Sequence, residues 1–581
     1  MPLWWGTNEG DAVAFDLIIR AGTVIDGTGG PGRTADVAIR DGRIAEVGRV
    51  DGTGTREIDA DGAVVAPGFV DIHTHYDGQA TWDDRLQPSS GHGVTTVVTG
   101  NCGVGFAPVR PGDQQTLVEL MEGVEDLPGA VLHEGLSWEW ESIGDYLDAL
   151  ERRHYDIDIA AQVCHAPVRL YVMGQRGADR EPASAEEIAE MGAIAAEGIR
   201  AGALGFTTSR TLNHRTSRGE PTPTLTAARE ELVGIARAIG ATGRGVLQVV
   251  SDFSERSEGE TLLEMMRASG RPLSFSLLQT SPGSGYRSKL DLLDAAHAEG
   301  LPMRAQVAAR AVGILLGLQG SVNPLGRTPS FQAVASLPLA EQARRLSEPA
   351  AREQLVAEAR TSGLPFPLGS VFALGTPPDY EPSAEDSIAA RAARAGVDPH
   401  ELYIDLLLGD EGRALLYLPF LNYFDGNLDA AAEMLAHPHA VPGLSDGGAH
   451  VGTICDASFP TSLLTHWGRD RSGGATFELP FLLQRQCRAT AEAVGLLDRG
   501  LLAPGYKADV NVIDVEHLAL TAPEMVHDLP AGGKRLMQGA RGYLHTIVAG
   551  VETYADGEAT GALPGRFVRG EQADPARMAA R

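Results

Sequence analysis

The sequence predicts an α/β fold: a (β/α)8 barrel of the TIM type, with a composite β-sandwich drawn from both chain ends and a helical insertion between barrel strands seven and eight. Three observations predict it. Short apolar runs alternate with helical stretches eight times through the middle of the chain, which implies a parallel sheet with right-handed crossovers. β-rich text punctuated by Gly and Asp occupies both ends. A long gap, residues 311–440, breaks the alternation before the last strand.

The first 68 residues hold three β-rich runs, at 16–27, 35–48 and 56–68. Similar text returns at 506–514 (YKADVNVID) and 542–557 (GYLHTIVAGVETYADG). Neither end is long enough to cover its own apolar face, so residues 1–68 and 503–581 are expected to form one sandwich. The barrel is assigned to 69–502. Its strands are FVDIHTH (69–75), TTVVTGNC (95–102), DIAAQVCH (158–165), ALGFTTS (203–209), GVLQVVSD (245–252), PLSFSLLQ (272–279), PMRAQVAAR (302–310) and VPGLSDGGAH (441–450). Helical text such as SAEEIAEMGAIAAEGIRAG lies between them. The gap at 311–440 contains SLPLAEQARRLSEPAAREQLVAEARTSG, which reads as helix and is expected to sit over the barrel mouth, where insertions shape substrate access.

Composition sets limits. The chain has 581 residues, of which 43% are hydrophobic and 22% charged, an ordinary globular balance. The longest apolar run, 311–318, is far short of the roughly 20 residues of a membrane helix. The net charge is -29 and no basic stripe is present, which argues against a nucleic-acid or anionic-membrane partner. Four well-separated cysteines, Cys102, Cys164, Cys455 and Cys487, form no disulfide framework. The opening MPLWWGTNEGDAVAFD has neither the basic nor the apolar region of a secretory leader, so a cytoplasmic protein is expected.

The sharpest chemical feature is His73-Thr74-His75. Residues two apart in a strand share a face, so both imidazoles point into the barrel mouth, where they suit Zn, Fe, Ni or Mn. After strand four, the loop GFTTSRTLNHRTSRGEPTP offers His214 and Arg215 to an anionic or carbonyl group. Arg310, ending strand seven, and Arg469, after strand eight, are candidates to fork onto a substrate carboxylate. His437 and His439 precede strand eight at the wrong end of the barrel.

PGFVDIHTHYDGQATWD, GVTTVVTGNCGVGFAPVRP, LSDGGAH and LLDRGLLAPGYKADVNVID together resemble the amidohydrolase superfamily, in the branch of the N-acyl-D-amino-acid deacylases (D-aminoacylases). The resemblance covers about 16–565. It implies that Cys102, ending strand two, is a zinc ligand beside His73 and His75, and that Asp446, ending strand eight, is a ligand and the general base. It places His165, ending strand three, near the substrate. One superfamily subtype bridges two metals with a carboxylated lysine from strand four. The only lysines are Lys289, Lys507 and Lys534, so that subtype is excluded.

The family also takes one histidine each from strands five and six, and here neither strand has one. Val250 and Phe275 fall near those positions, and Gln248, Asp252 and Gln279 are the nearest polar substitutes. The resemblance thus implies zinc, one or two ions, or another divalent metal. It also implies a small-molecule substrate and hydrolysis of a non-peptide C–N bond, with N-acyl-D-amino acids foremost. A homo-oligomer is also among the expectations. Two alternatives stand beside this. One is hydrolysis of a cyclic amide, imide or lactone; the other is a lapsed metal site with a binding or non-hydrolytic role.

Overall fold

The computed structural model describes residues 15–255, 257–362 and 366–579. The amino-terminal stretch read above for a leader falls mostly outside these residues. No helix among the described residues is long and apolar enough to cross a membrane.

The eight strand segments pair in parallel, in chain order. They are β1 (Phe69–Asp71), β2 (Val94–Thr99), β3 (Asp158–Ala161, continued by Val163–Cys164), β4 (Gly205–Arg210), β5 (Val246–Ser251), β6 (Leu273–Leu277), β7 (Met303–Val307) and β8 (Ala440–Pro442). β2, VTTVVT, is buried at all six positions, as a strand covered on both faces must be. The circle is completed beyond the ends of β1 and β8, where Thr74 bridges Gly447 in parallel. The helix Ala185–Ala201, between β3 and β4, starts at a capping box of Ser184 and Glu187 and stops at Gly202 in the left-handed region.

β8 is shorter than the sequence suggested. Ladder geometry ends at Pro442 because Leu444, Asp446, Gly448 and His450 all take positive φ. The segment between β7 and β8 also differs from a purely helical insertion. It holds the expected helices, among them Leu339–Leu346 and Pro349–Ser362, but also an antiparallel sheet in which Leu416–Leu421 pairs with Val312–Leu316 and Phe372–Ala373. Leu316, Leu346, Leu355, Ile388, Tyr403 and Leu416 form a separate apolar core there. The β-rich apolar run at 312–316 needed a partner strand, and it finds one about a hundred residues on.

Both chain ends join in one nine-stranded sheet, in which Val64–Pro67 runs antiparallel to Val510–Ile513. The last described residues leave that sheet and return to the barrel, with Phe567 bridging Ile159 and Gln572 bridging Leu496.

A buried charged group ties the barrel to this sheet. Arg499 donates to Asp158 Oδ2 at 2.7 Å, at the start of β3, and to Thr96 Oγ1 at 2.8 Å on β2. Lys507 lies 3.0 Å from the same carboxylate and 2.7 Å from Asp509. Burial alone would raise the Asp158 carboxyl, but Lys507 and Arg499 hold it below its ordinary value. Removing one partner of such a pair strands the other charge without water. Arg499→Ala is expected to cost about 3–5 kcal/mol, seen as a lower urea midpoint. An unchanged midpoint would show that Lys507 alone satisfies Asp158.

Candidate functional site

The site lies just past the ends of β1, β2 and β8. Thr74 N–H donates to Val98 O at 3.1 Å and His75 N–H to Gly447 O at 2.7 Å, so strand geometry continues beyond β1. That puts His73 and His75 on one face, each about 1% exposed, with ring centroids 5.6 Å apart. Cys102 sits in the turn after β2 at φ 56°, a conformation rare for a residue with a side chain. The Asp77 carboxylate holds that turn by accepting from Thr99 Oγ1 at 2.5 Å and Gly100 N–H at 3.2 Å.

His73, His75 and Cys102 bring one ligand atom each within 4.8 Å of one another. His73 Nε2 is 3.4 Å from Cys102 Sγ and 3.4 Å from Asp446 Oδ1, and His75 Nε2 is 3.6 Å from the same oxygen. Asp446 is delivered by its own backbone, whose N–H donates to His73 O at 3.1 Å. Both ring nitrogens of His75 and Asp446 Oδ1 are buried without a hydrogen-bond partner. Orphaned buried polar atoms are costly unless something else satisfies them. Two imidazoles, a thiol and a carboxylate form a zinc-type donor set, whose tetrahedral edges measure about 3.3–3.8 Å for ordinary bond lengths. The residues present therefore fit a divalent cation.

Electrostatics point the same way. Burial pushes the Cys102 thiol up to about 12 and the His73 imidazole down to about 4. Burial would also raise the Asp446 carboxyl, but the His75 and His73 imidazoles beside it hold it well below the usual range. The thiolate that a metal needs is thus costly here until a cation arrives.

Two residues that the sequence did not single out complete the cluster. Gln306, on β7, places Oε1 2.7 Å from His73 Nδ1 and donates from Nε2 to Ser274 Oγ at 2.9 Å. Glu125, the last residue of the helix Gln114–Glu125, places Oε1 3.3 Å from His75 Nδ1. Gln306 had a signal, a buried amide within the strand MRAQV. Glu125 had none, since a glutamate in EGVEDLPG reads as a solvated helix end.

A model of the Amidohydrolase family matches residues 56–368 and 376–554. The chain belongs to that family. D-aminoacylase of Alcaligenes xylosoxydans xylosoxydans is 35% identical over 237 residues, 41% of this chain and 44% of that relative, so the matched stretch spans less than half its length. A solved D-aminoacylase structure, described for one-metal activation and second-metal attenuation of its binuclear centre, is 26% identical with a TM-score of 0.64 and covers 96% of this chain and 100% of its own. N-acyl-D-glutamate deacylase from Bordetella bronchiseptica, solved with zinc and a phosphonate mimic of the tetrahedral intermediate, is 25% identical with a TM-score of 0.63 and the same coverage.

Around the cluster, this amidohydrolase distributes the other candidates unevenly. His214 borders it. Its Nδ1 lies 2.8 Å from Ser209 Oγ, and burial, with His450 and His75 nearby, pushes the imidazole down to about 3. Arg215 is exposed and donates to Gly219 O at 3.0 Å. Gln248, on β5, is buried with both amide atoms unpartnered. Phe275 is in register with Val249, on the face opposite Gln248, so Ser274 and Ser276 take the inward positions of β6. Asp252 is spent on Thr211 and the Leu212 N–H, and Gln279 donates to Asp425 and Gly283 O.

The two arginines expected at the rim have partners within the chain. Arg310 donates to Ser458, Ser462, Cys455 O and Asp456 and lies 3.5 Å over the Tyr380 ring. Arg469 donates to the carbonyls of Val515, Glu516 and Leu518. His437 lies 3.3 Å from Asp294, and His439 stacks on His297.

His165 is likewise committed. Its Nδ1 is 2.8 Å from Thr208 Oγ1 and its Nε2 2.9 Å from Glu231 Oε1, while Arg169 holds the other carboxylate oxygen. Burial would raise the Glu231 carboxyl, yet His165 and Arg169 bring it from 4.5 down to about 2. A carboxylate depressed on folding stabilises the fold above its unfolded pKa and loses that contribution as pH falls through its folded value. Glu231→Gln is therefore expected to flatten the loss of stability between about pH 4.5 and 2, measured by urea unfolding across that range. An acid limb as steep as in the unsubstituted protein would remove Glu231 from the account.

Proposed function

We propose that this amidohydrolase is a metal-dependent hydrolase of a non-peptide amide C–N bond, acting on substrates of the N-acyl-D-amino-acid type. One observation carries the reading: the orphaned Nε2 of His75 and the orphaned Oδ1 of Asp446 converge with His73 and Cys102 on one buried spot. The D-aminoacylase and N-acyl-D-glutamate deacylase relatives support it. We also assign two units: residues 1–68 with 503–581, whose last described stretch packs back on the barrel, and the barrel 69–502 with its insertion at 311–440.

In this reading His73, His75, Cys102 and Asp446 hold zinc or another divalent cation. When bound, the cation supplies Lewis acidity toward a carbonyl and a water. Asp446 takes the proton of the attacking water and returns it to the leaving nitrogen, the ordinary exchange of a general base for a general acid. Its depressed pKa keeps it ionised for the first step. His214 stays neutral, with Nδ1 engaged by Ser209, and offers its other nitrogen to the substrate carbonyl. Arg310, Arg469 and His165 serve the scaffold.

That commitment of Arg310 and Arg469 favours a second reading, a cyclic amide, imide or lactone, which has no free carboxylate to clamp. A panel of linear N-acyl-D-amino acids against cyclic amides separates the two.

Metal equivalents per chain test the centre itself. About one equivalent, lost in His73→Ala, is expected. No metal in the unsubstituted protein, with none taken up on reconstitution, would sink the mechanism. Asp446→Asn should lower kcat by about a hundred- to ten-thousand-fold while substrate still binds. Unchanged turnover would remove Asp446 as the base.

A further inference from the structure

Glu125 is about 1% exposed, yet nothing in the mechanism above uses it. Its two oxygens face two imidazoles: Oε1 is 3.3 Å from His75 Nδ1, and Oε2 is 3.7 Å from His450 Nε2. Oε1 has no hydrogen-bond partner of good geometry. Its backbone carbonyl accepts from the His450 N–H, so the last turn of the helix Gln114–Glu125 is also stitched to the loop after β8. That loop carries Asp446.

The same helix is pinned on another side by the loop that bears His214. Ser217 N–H donates to Glu119 O at 2.9 Å, and Arg218 pairs with the Glu119 carboxylate. The contact is so close that a Cβ on Gly123 would fall 2.1 Å from the Thr216 carbonyl carbon. One short helix therefore touches His75, the His214 loop and the Asp446 loop together, and Glu125 is the point where two of them meet.

We propose that Glu125 is a positioning residue for the metal centre: its carboxylate accepts from His75 Nδ1–H, presents Nε2 to the cation, and through His450 keeps the Asp446 loop in register with that imidazole. The proposal rests on the metal reading given above. A ligating imidazole whose second nitrogen is held by a carboxylate is fixed in tautomer and orientation and is a stronger donor. His73 is held differently, by the neutral amide of Gln306 at 2.7 Å. The two imidazoles are thus not equivalent, and His75 is the more strongly donating.

The test measures metal binding rather than turnover. Zinc affinity is determined by competition with a chromophoric chelator in the full-length protein and in Glu125→Gln and Glu125→Asp. Cobalt(II) reconstitution reports the thiolate-to-cobalt band of Cys102, and the thermal midpoint of the metal-free protein reports folding. Glu125→Gln keeps the shape and an acceptor oxygen but removes the charge. It should weaken zinc binding about 10–100-fold with the metal-free midpoint unchanged and the cobalt–thiolate band retained. Glu125→Asp, which keeps the charge, should recover part of that loss and supplies the comparison if the glutamine variant does not fold. Affinity equal to the unsubstituted protein in Glu125→Gln, or a loss that only follows a falling midpoint in both variants, would overturn the positioning role. Absence of zinc uptake by the unsubstituted protein would instead overturn the metal reading, and this inference with it.

Discussion

Two backbone hydrogen bonds between the continuations of β1 and β8 set the position of everything chemical in this molecule. His75 N–H reaches Gly447 O, and Asp446 N–H reaches His73 O. They complete the circle of strands, and in doing so lay the Asp446 carboxylate against both imidazoles. Segments more than 370 residues apart in sequence meet there within 3.1 Å. Closing so large a loop costs chain entropy, which grows slowly with length and is offset by the buried core that the closed barrel creates. The site is thus a consequence of closure rather than an addition to it, and substitutions that loosen the seam should separate base from ligands before they unfold the protein.

Backbone strain occurs at the same place. Cys102, Asp446 and His450 all carry positive φ, although none is glycine. Each such residue costs of order 1 kcal/mol or more and persists where its surroundings over-determine it. Here the surroundings are visible: Asp77 grips the turn at Cys102, Ser445 Oγ donates to Asp71 Oδ2 at 2.5 Å, and Glu125 O accepts from His450. These clamps keep the donors converged. Preformed ligands lose less entropy on binding metal than ligands gathered from a flexible chain.

What the sequence made legible follows from the range of the physics involved. The eight-fold alternation and the shared face of His73 and His75 depend on local period, so both could be read directly. Cys102 and Asp446 needed the surrounding motif, because a single cysteine or aspartate beside glycines carries no local chemistry. Glu125 and Gln306 escaped notice because their partners are distant: Gln306 meets His73 across 233 positions. The partners of Arg310 and Arg469 were hidden for a related reason. A guanidinium at the rim of a barrel looks free until the carbonyls and hydroxyls of later segments are known to surround it. The sheet inside the insertion was hidden likewise, since 312–316 pairs only with 416–421.

The two histidines absent from strands five and six now have a structural counterpart. The facing wall of the barrel carries Gln248, Ser274, Ser276 and Val250, none of which can bear charge. All the anionic donors, Cys102, Asp446 and Glu125, stand on the other side with His73 and His75. On the proposed reading, one dication is balanced by a thiolate and a carboxylate, while Glu125 is taken up by two imidazoles. On that wall a second dication would meet neutral amides and hydroxyls, which are weak ligands for zinc. The polar layer instead holds His73 in place through Gln306 and Ser274. On that reading the wall facing the cluster serves to orient His73, and its amides favour one cation over two.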